Sequence, residues 1–472
     1  MSVSEPRHVA IDLGASGGRV ALGGGAAGRL DFEIVHRFPN RAIPLGSHLY
    51  WDMLGLWREI SEGLKRAAAR APVASIGVTT WGVDYALLDR DGLAIGMVHS
   101  YRDRRNEGGY ALAERLVSRE AIYRATGIQF LPLNTLPQLV AARHEAPGLF
   151  DRAAHFLMLP DLVNHWLCGS LTGEHSNAST TQLYDPVRRD WADGLLSDLR
   201  LPRAIFPKLV EPGTVLGPVL PEIAADAGID GAVVVAPATH DTASAVAAVP
   251  AEGRGWAYVS SGTWCLVGVE SPAPVITDAG LAGNVTNEQG VGGTTRLLRN
   301  ATGLFLLQES MRGWGDPPIA TLLAEAAEVA DPVVFDVADP RFLRAGQDMA
   351  ERIAAWCRER GVAPPRSRAE FACSILRSVA RGIADCLGKV VAVSGEAVTT
   401  VHIVGGGSQI ALLNQAIADA SGREVLAGPV EATTAGNLLL QAEALGIIAR
   451  GGTRSVMRRS AEIRRFSPRA AA

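Results

Sequence analysis

Two segments half a chain apart share one plan, and this repetition restricts the fold more than any other feature of the sequence. The first, "HVAIDLGASGGRVALG" (8–23), is an apolar strand, a Gly-rich turn and a second apolar strand. The second is "AYVSSGTWCLVGV" (257–269), in which Ser260 lies 248 residues after Asp12. Because such self-similarity indicates a duplicated unit, we expect two copies of one α/β unit with a cleft between them.

Strand-like and helix-like segments alternate along the whole chain. Runs rich in Val and Ile that stop at Gly, such as "VASIGVTTWGV" and "TVHIVGGG", predict strands. Segments such as "LGLWREISEGLKRAAAR" carry apolar residues at helical spacing and predict helices. This alternation is typical of α/β proteins, and we predict two domains, at residues 1–245 and 246–472.

Composition restricts the partners and the location. The 472 residues include 45 basic and 49 acidic side chains, without the basic surplus that nucleic-acid-binding proteins usually show. The start of the chain, "MSVSEPRH", has no apolar signal segment, and no run of about 18 apolar residues follows. Five cysteines without a CxxC pair argue against a disulfide scaffold. We therefore expect a cytoplasmic protein that binds neither nucleic acid nor membrane, as a monomer or a small homo-oligomer.

The turn of the first hairpin has the residue types of a phosphate-binding site. Its three glycines permit positive φ and let the backbone approach a ligand closely, and consecutive exposed amides can bind an anion. Ser16 and Arg19 can add donors, and the guanidinium of Arg19 suits phosphate oxygens. Asp12, at the end of the strand, is placed to hold Mg²⁺ directly or through water. A plain surface hairpin would explain the same glycines, so the segment alone leaves both interpretations open.

The segment "VAPATHDTASAV" (235–246) runs from an apolar strand into a helix of small residues. Asp241 or Thr239 could simply accept hydrogen bonds from the first amides of that helix. Alternatively, Asp241 could take a proton from a substrate hydroxyl, since a helix N-terminus offers positive potential to phosphoryl groups. No G-x-S-x-G segment supplies a serine nucleophile beside it.

Three glycines follow a buried strand in "VHIVGGGSQIALLNQAIADASG" (401–422), where a flat ring or a phosphate could lie against the backbone. Their order does not fit G-x-G-x-x-G, which argues against a nicotinamide cofactor. Tight packing of strand against helix is the alternative explanation.

The segment "SIGVTTWGVDYALLD" (75–89) places Trp81 and Asp84 in the middle of a strand-like run. An aromatic ring can pack on a sugar, and a carboxylate can accept hydrogen bonds from its hydroxyls. A structural tryptophan beside a glycine that forms a bulge is the alternative.

Taken together, these segments resemble the FGGY carbohydrate kinases. The matching pieces follow the family order along nearly the whole chain and are "IDLGASGGRV", "WGVDYALLD", "YRDRR", "GIQFLPLNTL", "SNASTTQLYD", "HDTASAV", "YVSSGTWCLVG", "NVTNE", "LLRNATGLFLLQE" and "VHIVGGGSQ". The resemblance implies an α/β fold of two ribonuclease-H-like domains, as in the actin-like ATPases, with a catalytic cleft between them. The first domain would hold the sugar, the first phosphate loop and the catalytic Asp, and the second would hold the second phosphate loop and the adenosine.

The resemblance also implies a role for individual residues. Asp241 would be the catalytic proton acceptor, and Asp12 would lie close to Mg²⁺. ATP would be bound by Ala15, Ser16, Gly17, Gly18, Arg19, Thr263, Gln308 and Gly406. The sugar would be contacted by Gly82, His240, Asp241, Thr242 and Asn300.

The expected reaction is therefore ATP-dependent phosphorylation of a ketose. L-Rhamnulose, phosphorylated at its 1-hydroxyl, is the substrate that the resemblance favours. L-Fuculose, D-xylulose or another ketose is the alternative within kinases, since a few hydroxyl contacts decide selectivity. A non-catalytic sensor of sugar or ATP, or an actin-like assembly protein, is the alternative from another class, because a fold does not decide function.

Overall fold

The computed structural model describes residues 7–24, 28–342, 346 and 348–469. They form two compact units, and each unit is assembled from separate stretches of the chain. The first contains the described residues up to Pro250, together with Glu270–Leu297 and Thr433–Ser460. The second contains Ala251–Val269, the described part of Leu298–Ala432, and the described residues after Ser460. The domain boundary at residue 245 stays a prediction.

Twenty-one strands are found among the described residues. They are β1 (Arg7–Gly14), β2 (Gly17–Gly24), β3 (Asp31–Pro39), β4 (Ala42–Leu45), β5 (His48–Trp51), β6 (Val73–Thr80), β7 (Tyr85–Leu88), β8 (His155–Met158), β9 (Gly173–Glu174), β10 (Tyr184–Asp185), β11 (Asp190–Trp191), β12 (Leu209–Val210), β13 (Thr214–Pro218), β14 (Val233–Ala236), β15 (Trp256–Ser261), β16 (Trp264–Ser271), β17 (Thr286–Gln289), β18 (Thr295–Thr302), β19 (Thr400–Val404), β20 (Glu424–Ala427) and β21 (Arg464–Phe466).

Eighteen α-helices accompany them in the same part of the chain. They are α1 (Met53–Ala68), α2 (Gly109–Ala113), α3 (Arg119–Thr126), α4 (Thr135–Glu145), α5 (Pro147–Arg152), α6 (Leu159–Cys168), α7 (His175–Ala178), α8 (Asp193–Asp198), α9 (Pro221–Ala227), α10 (Asp241–Ala247), α11 (Asp278–Gly283), α12 (Phe305–Gly313), α13 (Ile319–Ala327), α14 (Met349–Glu359), α15 (Arg368–Ser394), α16 (Ala411–Ser421), α17 (Ala432–Ala444) and α18 (Thr453–Ser460). Among the described residues, no helix combines the length and the apolar character needed to cross a lipid bilayer.

The first unit is built on a six-stranded sheet with the order β13-β14-β6-β1-β2-β3. Strand β1 is antiparallel to β2 and parallel to β6, and β6 is in turn parallel to β14. The interior of β1 is buried at six consecutive residues, as expected where both faces of a sheet are covered. The predicted strand-turn-strand at the start of the chain is therefore the centre of this sheet.

A seven-stranded sheet has the order β17-β18-β16-β15-β19-β20-β21. Strand β15 is antiparallel to β16 and parallel to β19, and β19 is parallel to β20. The series β18-β16-β15-β19-β20 therefore repeats the series β3-β2-β1-β6-β14 of the first sheet. This correspondence confirms that the repeated segments mark two copies of one α/β arrangement.

Helix α1 shows how a helix is fixed against the first sheet. Asp52 precedes it and accepts a hydrogen bond from the amide of Gly55 at 2.9 Å, which satisfies one free donor of the first turn. The buried side chains of Leu56, Ile60 and Leu64 recur at helical spacing and face the core. Gly63 faces Val20 of β2 so closely that a methyl group there would overlap the valine side chain.

Helix α17 comes from far along the chain, yet it packs against the first sheet. Asn437 donates to the carbonyl of Gly77 at 3.1 Å, and Gln441 donates to the carbonyl of Val9 at 3.0 Å. Gly436 lies against the backbone of Ser244 in α10, where any larger residue would overlap the carbonyl. The first unit is therefore complete only when this late helix is in place.

Candidate functional site

The parallel strands β1, β6 and β14 end at the same edge of the first sheet. Beyond β14 the chain runs beside β6, and the amide of Thr80 donates to the carbonyl of Thr239 at 2.9 Å. Ligands of α/β sheets bind at the carboxyl ends of such strands. Asp12 near the end of β1 and Asp241 just after β14 both lie at this edge, so the structure places the two predicted acids at the same end of the sheet.

Asp12 is almost completely buried, with 4% of its surface exposed. Its register partners on the neighbouring strands are Arg19 and Thr79. The Nε of Arg19 lies 3.5 Å from Oδ2 of Asp12, and the hydroxyl of Thr434 donates to the same oxygen at 3.3 Å. A carboxylate with neighbouring hydroxyls is the hard-oxygen environment that Mg²⁺ prefers, so the residues present fit this cation.

The turn of the first hairpin consists of Ala15 and Ser16, and Gly17 faces Gly14 across it. None of Gly14, Gly17 and Gly18 adopts the positive φ that glycine permits. Instead, Gly18 provides room, since a methyl group there would overlap the ring of Phe38 on β3. Gly18 therefore allows close packing beneath the turn. The three glycines do not form an anion-binding turn of the kind that needs left-handed backbone.

Asp241 is the first residue of α10, and 29% of its side chain is exposed. Its Oδ1 accepts hydrogen bonds from the amide and the hydroxyl of Thr242, at 2.6 and 3.1 Å. The Nε2 of His240 lies 3.3 Å from the same oxygen. No hydrogen bond to Oδ2 is found among the described residues. Asp241 thus has one oxygen held by the protein and one available to a ligand.

The neighbouring Thr239 does not cap the helix, contrary to one of the interpretations of this segment. Its amide and its hydroxyl both donate to Oε2 of Glu174, at 2.8 Å each. Burial raises the pKa of the Glu174 carboxyl, although these hydrogen bonds favour its ionised form. Glu174 therefore fixes the backbone that leads into Asp241.

His240 is held from its other side by residues that sequence reasoning did not single out. Arg296 is fully buried, and its Nη2 lies 3.0 Å from Nδ1 of His240 and 3.0 Å from Oε2 of Glu288. Burial raises the pKa of Glu288, but the positive charge of Arg296 counters burial, and that pKa lies below its usual value. Glu288 ends the matching piece "NVTNE", and Arg296 directly precedes the piece "LLRNATGLFLLQE", but no local pattern links either residue to His240.

Gly82 is buried against Thr180, and a methyl group at Gly82 would lie 2.9 Å from the Thr180 hydroxyl. The next residue, Val83, has a φ of 71°, a left-handed conformation that is unusual for a β-branched side chain. The amide of Val83 donates to the hydroxyl of Thr180, and Thr135 donates to its carbonyl at 2.6 Å. This segment is therefore strained and held in place from both sides, as is common at binding sites.

Asp84 does not offer its carboxylate to a ligand, which favours the structural interpretation of this segment over a contact with sugar hydroxyls. It is completely buried, and its Oδ2 accepts from the indoles of Trp51 and Trp81 at 2.6 and 2.9 Å. Gln138 donates to Oδ1 at 3.1 Å. Burial raises the pKa of Asp84 to about 6 despite these donors. Its evident role is to orient two tryptophan rings.

The second unit brings together the nucleotide-binding candidates of that half. Thr263 lies in the turn between β15 and β16, and its carbonyl accepts from the amide of Phe305 at 3.2 Å. Gln308 follows one turn later on α12. Gly406 follows β19, and its neighbour Gly407 packs directly on the side chain of Ser261. Asn300, predicted to contact the sugar, lies on β18 in the second unit.

We also searched the described part of the chain for side chains that could bind a metal ion together. One group of three has its possible ligand atoms within 4.8 Å of one another. It consists of His48, His99 and Asp103. Asp103 already accepts from the amides of Leu49 and Arg105, at 2.5 and 2.8 Å. The Asp103 carboxylate therefore holds the backbone at Leu49 and Arg105, and this structural role accounts for the group without a metal ion.

Family models match both halves of the chain. The N-terminal domain of the FGGY family of carbohydrate kinases matches residues 8–248, and its C-terminal domain matches residues 257–445. A rhamnulokinase of Pectobacterium carotovorum is 42% identical over 98% of this chain and 93% of its own length. One of Bacillus subtilis is 37% identical over 98% of this chain and 95% of its own length.

Solved structures agree on the fold. A ligand-bound xylulose kinase from Lactobacillus acidophilus superposes with a TM-score of 0.81 at 15% identity, covering 98% of this chain and 94% of that one. Glycerol kinase from Plasmodium falciparum with ADP gives 0.77 at 14% identity, with the same two coverages. At these identities the likeness concerns the two-domain α/β fold alone. Together with the family models and the full-length relatives, it leads to one conclusion: the chain belongs to the FGGY family of carbohydrate kinases, within which it resembles the rhamnulokinases.

Proposed function

We propose that this kinase transfers the γ-phosphoryl group of ATP to the 1-hydroxyl of L-rhamnulose, giving L-rhamnulose 1-phosphate and ADP. The similarity to rhamnulokinases, at 37 to 42% identity over nearly the whole chain, supports this substrate. The observation that carries the reaction type is the carboxylate of Asp241. One of its oxygens is anchored and the other is unbonded among the described residues, at the sheet edge where Asp12 also lies.

Asp241 is proposed as the group that accepts the proton of the attacking hydroxyl. A carboxylate is a far weaker base than an alkoxide, so it cannot deprotonate an alcohol in advance. Phosphoryl transfer nevertheless has a loose transition state in which the proton leaves late, so a well-placed weak base suffices. Because Oδ1 is occupied by protein donors, Oδ2 is the oxygen that would receive this proton.

Asp12 is proposed to hold Mg²⁺, directly or through water. When bound, this cation would neutralise phosphate charge during transfer. The hydroxyls of Thr79 and Thr434 beside Asp12 support the assignment, since they keep the carboxylate in one orientation.

ATP is proposed to contact residues on both hairpin turns and their neighbours. They are Ala15, Ser16, Gly17, Gly18 and Arg19 of the first turn, together with Thr263, Gln308 and Gly406. The sugar is proposed to contact Gly82, His240, Asp241, Thr242 and Asn300. The fixed backbone at Gly82 and Val83 supports a role in positioning, because a site that is already rigid loses less entropy when its ligand binds.

A cytoplasmic location, small molecules as the partners, and a monomer or small homo-oligomer complete the proposal. All five cysteines carry free thiols, which fits a reducing compartment.

The test is ADP release, measured by a coupled assay with a panel of ketoses at saturating ATP and Mg²⁺. We expect the kcat/KM for L-rhamnulose to exceed those for L-fuculose and D-xylulose by tenfold or more. A different preferred ketose would overturn the substrate assignment. Absence of ADP release with every ketose, from protein with a cooperative thermal transition, would contradict the phosphoryl transfer itself.

A further inference from the structure

We propose that Arg296 is a positioning residue for the catalytic carboxylate, because it fixes the tautomer of His240 and thereby directs the Nε2 proton of His240 to Oδ1 of Asp241. The inference deepens the proposed function and rests on it, because it concerns the same carboxylate. Its structural part is the chain of contacts Glu288, Arg296, His240 and Asp241, all of which belong to the first unit.

The tautomer follows from what a guanidinium can do. Arginine is always protonated and only donates hydrogen bonds, so Nδ1 of His240, at 3.0 Å from Nη2 of Arg296, must accept. A neutral imidazole that accepts at Nδ1 carries its proton at Nε2. Nε2 faces Oδ1 of Asp241 at 3.3 Å, where a proton is required for attraction. One tautomer therefore satisfies both neighbours.

The opposite tautomer would be unfavourable at both ends. A proton on Nδ1 could point to Oε2 of Glu288 at 3.3 Å, but it would also face the Nη2 donor of Arg296. The lone pair then left on Nε2 would face a carboxylate oxygen of Asp241. A doubly protonated ring would bring a second positive charge against Arg296, which is completely buried.

Arg296 is itself held in a single orientation. Its Nε donates to the carbonyl of Gln289 at 3.1 Å, and Oε2 of Glu288 lies 3.0 Å from its Nη2. Glu288 balances the buried charge, and it can only accept when ionised, so it does not compete with Arg296 as a donor to His240.

The consequence concerns the orientation of the Asp241 carboxylate. Three groups surround Oδ1 of Asp241: the amide and the hydroxyl of Thr242, and the imidazole of His240. The two groups of Thr242 would move with the start of the helix. The imidazole of His240 is the contact that Arg296 anchors. It resists rotation of the carboxylate, and Oδ2 therefore stays directed away from the anchoring groups, toward the substrate hydroxyl.

The first test reads the tautomer without any substrate. Nitrogen-15 chemical shifts of the histidine rings, assigned to His240 by the loss of its signals in His240→Asn, distinguish a protonated from an unprotonated ring nitrogen. We expect wild-type His240 to be protonated at Nε2 and unprotonated at Nδ1. Protonation at Nδ1 alone, or at both nitrogens at neutral pH, would overturn the inference even in an enzyme that phosphorylates L-rhamnulose normally.

The second test is kinetic and uses paired substitutions, because removal of Arg296 alone would leave Glu288 buried and uncompensated. Arg296→Met with Glu288→Gln should lower kcat about tenfold and leave the KM for ATP unchanged. Arg296→Lys with Glu288 unchanged keeps a donor and the positive charge, so its kcat should be much closer to the wild-type value than that of the double variant. An unchanged kcat in a folded double variant, or no recovery by lysine, would contradict the positioning role.

The matched control is Arg341→Met with Glu359→Gln, which removes an arginine–glutamate pair of the second unit without a proposed role. It should leave kcat within twofold of wild type. A wild-type protein without kinase activity but with the expected tautomer would contradict the proposed function. The same result would support the proposed hydrogen bond from His240 to Asp241. The two failures are therefore distinguishable.

Discussion

The hydroxyl of Thr434 donates to Oδ2 of Asp12 at 3.3 Å, although 422 residues separate them in the chain. The neighbouring hydroxyl of Thr433 donates to the carbonyl of Asp241 at 3.2 Å. The start of helix α17 thus contacts both proposed functional acids. It stabilises their relative placement by hydrogen bonds that no short segment of the sequence contains.

The first prediction concerns Thr434. Thr434→Val keeps the side-chain shape but removes the donor to a buried, charged acceptor, so we expect a loss of about 1–2 kcal/mol in the free energy of unfolding. Urea denaturation measures this loss. Thr399→Val is the matched control, because the Thr399 hydroxyl is exposed and donates to an uncharged acceptor, the carbonyl of Gly255, at 3.3 Å. It should change stability by less than about 0.5 kcal/mol, and an equal loss in both variants would argue against a special role of Thr434.

The second prediction concerns Asp241. Asp241→Asn keeps an acceptor at Oδ1 but supplies no base, and we expect kcat to fall by about 10²–10⁴-fold with little change in ATP affinity. Steady-state kinetics and nucleotide titration measure the two effects. Asp226→Asn removes an exposed acid that forms an ion pair with Lys65 at 3.0 Å, and it should leave turnover unchanged. Turnover retained by Asp241→Asn would exclude Asp241 as the proton acceptor.

The third prediction is a pH dependence of stability caused by Asp84. Its pKa is raised from 3.8 to about 6 in the folded protein by burial. Between these two values the folded form holds a proton that the unfolded form has lost, so protonation stabilises the fold as the pH falls through this window. The gain approaches about 3 kcal/mol, at 1.36 kcal/mol for each unit of pKa.

Denaturation of wild type and Asp84→Asn at pH 7 and pH 4.5 measures this effect. Stability of the wild type relative to the variant should increase toward pH 4.5, since asparagine does not titrate. A relative stability that is constant with pH, or that decreases toward acid, would show that the Asp84 pKa is not raised.

The fourth prediction separates nucleotide binding from packing in the glycine run after β19. Gly406 has nothing within 4 Å of the position of an added methyl group, whereas Gly407 lies directly against the side chain of Ser261. Gly406→Ala should therefore preserve the melting temperature and raise the KM for ATP severalfold, because the methyl group would occupy space proposed for the nucleotide. Gly407→Ala should lower the melting temperature. An unchanged KM for ATP in Gly406→Ala would remove that residue from the nucleotide site.

The architecture could be predicted because the sequence repeats one strand-turn-strand segment, and such a segment is recognised from neighbouring residues alone. Asp12 lies near the end of an apolar strand and Asp241 starts a helix, and each such position follows from a few neighbouring residues. The roles of the glycines were harder to predict, since Gly18 serves packing against Phe38 and has no positive φ. Glycine permits both positive φ and close packing of its neighbours, and the sequence alone does not show which of the two properties is used.

Contacts between distant segments could not be predicted. Arg296 reaches His240 across 56 residues, and Thr434 reaches Asp12 across 422. No periodicity or spacing records such pairs, because they arise from the path of the chain in three dimensions. The two interpretations of Asp84 stayed open in the sequence for a related reason: only burial and two indole donors show that its carboxylate is already occupied.

The late position of α17 has a consequence for synthesis on the ribosome. The first sheet emerges early, but the helix that covers it and supplies Thr434 is translated only after nearly all of the second unit. Until then Ala10 and Ala21 of the first sheet lack Leu438 of α17, on which they pack, and exposed apolar surface of this kind is what chaperones bind. Completion of the Asp12 environment is among the last events in the production of the enzyme, and a chain that terminates before α17 lacks it altogether.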